Sequence, residues 1–106
     1  GGHYVYPKYL HGATMLYYYR KKAYKEALRE AKMYHVPGFF WGPMLRAAVL
    51  GQLNRPDEAH HQVQQLLHMK PDFRDKAHYL ISRFVKEESL VDQVVAGLRK
   101  AGLEVS

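Results

Sequence analysis

Two helix-hairpin signatures, KKAYKEALREAKMYHVP and LNRPDEAHHQVQQLLHMKP, follow one another in this chain and constrain its fold more than any other feature. In the first, Tyr24 precedes Ala27 by three residues and Pro37 follows. In the second, Pro56 precedes Ala59 by three, and Pro71 closes the segment after Leu66 and Leu67. Ala27 and Ala59 stand 32 positions apart, within the range of periods at which helical hairpins stack on one another. A small side chain there lets the two helices of a hairpin approach closely.

Hydrophobic spacing extends this reading to six helices. The first is expected from about Pro7 to Arg20, proline being favoured in a first helical turn. Lys22 to Met33 follows, with Tyr24, Ala27, Leu28 and Ala31 on one face. The segment His35-Val36-Pro37-Gly38 ends it, because proline cannot continue the hydrogen-bond ladder and glycine tolerates positive φ. A third helix is expected from about Trp41 to Leu53, with Leu45, Ala48, Val49 and Leu53 at helical intervals. A fourth spans Pro56 to Met69, with Asp57 and Glu58 at its positive end and Lys70 at its negative one. Two further stripes, Phe73, Ala77, Leu80, Ile81, Phe84 and Val85, then Leu90, Val91, Val94, Val95 and Leu98, predict a closing hairpin. Ser89 with Asp92 reads as a loose capping box for the last helix, and Gly102 as its C-terminal cap.

These landmarks resemble the tetratricopeptide repeat family. The second copy supplies Ala47, Leu50, the turn Asn54-Arg55-Pro56-Asp57, Ala59, Leu66 and Pro71. The first supplies Tyr18, Tyr24, Ala27 and Pro37, with Met15 at the small position. Pro43 stands where the family has an early Trp, Arg46 where it has Leu, and Pro37 comes about two residues early, so the chain is similar to a divergent member. The resemblance implies an all-α, right-handed superhelical stack of antiparallel hairpins forming a single domain over 1–106. Its repeats are expected at about 8–37 and 40–71, with a degenerate terminal hairpin at about 72–103 acting as a cap. The ending LRKAGLEVS further suggests the C-terminal repeat domain of a larger bacterial multidomain protein.

Members of that family hold peptide segments of partner proteins on the concave face made by the first helix of each hairpin. Carried onto this register, the resemblance implies a groove lined by Tyr9, Leu16, Tyr19 and Arg20, joined by Trp41, Met44, Ala48 and Gln52. Aromatic residues, Arg and Met suit a binding patch, although aromatics at helical spacing also suit a core. The expected function is therefore a protein-interaction scaffold, with two alternatives open: self-association as an assembly element, and a basic helical module for nucleic acid. The linker PGFFWGP allows a buried aromatic plug or an exposed aromatic lip; the plug is expected for Phe39 and Phe40, and Trp41 stays open.

Tyr17-Tyr18-Tyr19 spans about 300° of a helix, so at least one tyrosine must reach solvent or a ligand. The following Arg20, Lys21 and Lys22 complement a helix C-terminus without any partner. The net charge of +6 keeps nucleic acid in view, but the basic residues are dispersed and no nucleic-acid motif is present. No run of about 18 apolar residues predicts a membrane span, and the lack of cysteine excludes disulfides and thiolate sites and fits a cytoplasmic protein. None of the seven histidines shows the i, i+4 pairing with a carboxylate expected of a zinc site. No phosphate-binding loop or nucleophile elbow is found. The sequence thus predicts no enzyme, no cofactor and no metal.

Overall fold

The computed structural model describes residues 10–105, and all six elements in that span are helices: α1 (Leu10–Arg20), α2 (Tyr24–Met33), α3 (Trp41–Gln52), α4 (Pro56–Met69), α5 (Phe73–Ser82) and α6 (Glu88–Lys100). The expected start of the first helix near Pro7 lies outside the described residues. No strand occurs among those described, and none of the helices is long and apolar enough to cross a membrane.

The first two hairpins turn by the same backbone device. Lys22 takes φ +63°, its N–H donates to Tyr19 O, and Ala23 N–H donates to Tyr18 O. Asn54, 32 positions on, takes φ +56°, with Asn54 N–H on Gly51 O and Arg55 N–H on Leu50 O. Each pair of bonds satisfies carbonyls that the end of a helix leaves free. The second helix therefore begins at Tyr24 and not at Lys22, whose left-handed conformation cannot belong to a helix. Gly102, at φ +96°, closes α6 in the same way, as its sequence position predicts.

α3 is the centre of the molecule. Every residue from Trp41 to Gly51 is buried except Arg46, so this helix is apolar all round where a single apolar face was expected. It pairs with α4 in one hairpin and packs against α2 of the other. α4 buries only Ala59, Val63 and Leu66, one stripe at helical spacing, and leaves the rest to water.

The last hairpin departs from its expected outline. α5 stops at Ser82, three residues before the end of its apolar stripe, and Lys76 within it leaves helical geometry. Phe84, which the stripe assigned to the core, is consequently exposed, while Val85 stays buried. α6 starts at Glu88 with no side-chain cap; Ser89 Oγ instead donates to Glu87 Oε1 at 2.9 Å, so the capping box does not form. Most consequentially, α6 does not simply close the far end of a stack. It lies along α3 about as extensively as α4 does, on the side of α3 that also adjoins α1.

Candidate partner-binding surface

The face of α1 and α3 on which a groove was expected is covered by α6. Gly51 on α3 meets Gly97 on α6 backbone to backbone. A Cβ on Gly51 would overlap the Gly97 carbonyl oxygen and lie 2.8 Å from Ala101 N, and a Cβ on Gly97 would overlap Tyr19 Oη and Ala48 O. The valines and leucine of α6, Val91, Val94 and Leu98, are buried in the same core.

A polar knot seals one end of this contact. Tyr19 Oη donates to Gln93 O at 2.7 Å, and Gln52 Nε2 donates to Tyr19 Oη at 3.0 Å and to Gln93 O at 3.3 Å. Gln93 Nε2 donates in turn to Tyr19 O and to Tyr24 Oη, and Lys100 Nζ donates to Gln52 Oε1 at 2.9 Å. Burial drives the Tyr19 phenol well above its ordinary pKa, only partly opposed by the hydrogen bond from Gln52, so it stays a neutral donor.

The residues expected to line the groove therefore divide. Tyr9 lies outside the described residues. Tyr19, Met44 and Ala48 have no accessible surface, so they are core where a groove lining was expected, and Trp41, which the sequence left open, is core as well at 6%. Gln52 is half-buried and engaged by α6; Leu16 is half-buried against the core. Among the described members of this set Arg20 alone is exposed, and it pairs with Glu87 at 2.8 Å. The three consecutive tyrosines separate as helix geometry requires: Tyr17 exposed, Tyr18 half-buried, Tyr19 buried.

Among the exposed apolar side chains of the described residues, which include Tyr17, Met33 and Met69, one group forms an aromatic ledge. Phe40 is buried at 9% and packs on Phe73 with ring centres 5.7 Å apart, which makes it the expected plug. Trp41 lies next to it, and Phe39 is half-buried across from both. Phe84 then sits over Trp41 at 5.0 Å and Phe39 at 5.7 Å, yet is 53% exposed. Beside it, Arg83 lies over the ring of Tyr79, itself 62% exposed, and Lys86 is in solvent. The ledge is thus an outgrowth of the plug, created where α5 ends early.

Elsewhere, Leu28, Lys32, Leu50, Asp57, His61 and Gln62, from α2, α3 and α4, line an open cleft of about 420 Å³. Arg46 reaches its floor. Its Nε donates to Gln62 Oε1 at 2.8 Å and its Nη1 to Ala31 O and Tyr34 O, both at 3.3 Å. These carbonyls belong to the end of α2, so Arg46 caps the preceding helix. Burial lowers its pKa, and the guanidinium is spent on structure.

Two histidines that the sequence leaves scattered acquire carboxylate partners through the fold. His11 Nδ1 lies 2.6 Å from Glu30 Oε2 between α1 and α2, and His78 Nε2 lies 2.6 Å from Glu88 Oε1 between α5 and α6. Compared with known proteins, the chain matches no family model, no curated protein and no solved structure.

Proposed function

We propose that this chain is a non-enzymatic protein-interaction module: tetratricopeptide-like hairpins in a right-handed stack, whose concave face is filled by their own α6. On this reading the partner engages the ledge formed by exposed Phe84 and half-buried Phe39, with buried Trp41 supporting them from the core. The observation that carries it is Phe84, more than half exposed while in edge-on and tilted contact with two aromatic rings. Burying a phenylalanine side chain is worth about 1.5–3 kcal/mol relative to leaving it in water, and anchored aromatics with flanking Arg are what dominate protein interfaces. Arg83 and Lys86 beside the ledge and a net charge of +6 favour an acidic partner segment.

Self-association is the second reading, supported by the same exposed rings. The charge balance weighs against it, because two copies at +6 repel. The test is capture from nuclease-treated lysate of the source organism with wild type and Phe84→Ser, alongside sedimentation over a range of concentrations. Retention of a partner by wild type and its loss in a Phe84→Ser variant of unchanged helicity supports the ledge. Equal retention by both refutes it. A concentration-dependent mass that Phe84→Ser abolishes would favour self-association instead.

A further inference from the structure

We propose that His78, Glu88 and Asp92 form a surface site for a divalent transition-metal ion that clips α5 to α6. Glu88 and Asp92 are one helical turn apart at the start of α6, and His78 comes from α5. One ligand atom from each lies within 4.8 Å of the others. An ion at the centre of such a triangle sits at most roughly 2.8 Å from each atom, and modest side-chain rotation reaches the 2.0–2.2 Å of zinc–nitrogen and zinc–carboxylate bonds. The 2.6 Å contact between His78 Nε2 and Glu88 Oε1 already holds a ring nitrogen and a carboxylate side by side across the two helices, and a bound ion replaces that hydrogen bond.

Electrostatics supply an independent reason for a cation there. Two like charges at i, i+4 repel, and Asp92 has no cationic partner among the described residues. A bound divalent ion relieves that repulsion and occupies both carboxylates at once. The donor set selects its class. One imidazole and two carboxylates suit zinc or cobalt, with the open side left to water; magnesium and calcium want an all-oxygen shell of six or more ligands. The structural gain is local, because α5 and α6 form the most sparsely packed of the three hairpins.

Calorimetric titration of the whole chain with Zn²⁺, Co²⁺ and Mg²⁺ tests this, using wild type, His78→Ala, Asp92→Asn and the control His61→Ala. All three substituted positions are exposed, so the variants are expected to fold, which circular dichroism checks. The expected result is one tight Zn²⁺ equivalent, weakened by roughly 10–100-fold or more in His78→Ala and Asp92→Asn, the range seen even for indirect ligand supports, and unchanged in His61→Ala. Zn²⁺ should also raise the denaturation midpoint of wild type but not of Asp92→Asn. Zn²⁺ affinity that is the same in all four proteins, absence of saturable binding at millimolar metal, or equal competition by Mg²⁺ would each overturn the site.

Discussion

Substituting Gly97 by alanine gives a direct test of the α3–α6 contact, because two effects of opposite sign compete there. Inside an exposed helix, glycine to alanine stabilises by about 0.5–1 kcal/mol, since alanine loses less backbone freedom on folding. At Gly97 the added methyl group would overlap Tyr19 Oη and the Ala48 carbonyl oxygen. One of these is backbone of the central helix and neither can rotate away, so α6 must shift outward. Overpacking of this kind costs about 1–3 kcal/mol, and the shift also strains the bonds among Tyr19, Gln52 and Gln93, each worth about 1 kcal/mol. After subtracting the helix-propensity gain, Gly97→Ala should destabilise by roughly 2–4 kcal/mol, a large part of the 5–15 kcal/mol typical of a domain. Urea unfolding followed by the emission of Trp41, the chain's one tryptophan, measures this. Gly51→Ala should behave alike, and the double variant should cost less than the two single costs combined, because one outward shift of α6 accommodates both methyl groups. A Gly97→Ala variant as stable as wild type would refute the close approach.

Three further expectations follow from other parts of the fold. Phe40→Ala should destabilise by roughly 3–5 kcal/mol, whereas Phe84→Ala should change the urea midpoint by an amount corresponding to less than about 1 kcal/mol; similar losses in both would contradict the distinction between plug and ledge. Lys22→Gly should stabilise by up to about 1 kcal/mol by relieving a left-handed residue, and a loss of stability in the same assay would contradict the turn geometry. Because burial raises the Tyr19 pKa, its contribution is fully present below the unfolded tyrosine value of about 10 and is lost as pH climbs above it towards the higher folded value. Stability measured between pH 8 and 11.5 should therefore fall less steeply in Tyr19→Phe than in wild type; equal slopes would show that this phenol is not shielded.

What the sequence made legible was local. Hairpin turns, proline stops and the cap at Gly102 depend on a few neighbouring residues, and the four-helix core of the two hairpins emerges from them with boundaries displaced by a residue or two; α2 ends at Met33 with Tyr34 as its cap, so Gly38 belongs to the following turn and not to the helix end. The face of α1 and α3 was legible as well, since Tyr19, Ala48 and Gln52 do share it. Its occupant was not, because docking α6 against α3 depends on shape over long sequence separation. One signal was present: Gly51 and Gly97 each interrupt an otherwise good helix, at a cost of about 1 kcal/mol that close approach of another backbone explains. The ledge escaped notice for a different reason. Phe84 continues the apolar period of α5, but the helix ends before reaching it, and periodicity does not register where a helix stops. His78 and Glu88 likewise meet only because a turn brings two helices together.

The bond from Tyr19 to Gln93 joins positions 74 apart in the chain, and this has a consequence for how the molecule folds. Arrays whose units touch only their neighbours can nucleate anywhere and come apart piecemeal. Here the central helix is left open on one side until the last helix arrives, so the loop-closure entropy must be met before that contact contributes. Unfolding should consequently be a single cooperative event, with the best-protected amides of α3 and α6 sharing one opening free energy in hydrogen exchange. Folding should be slower than that of helical proteins held together by neighbouring segments alone.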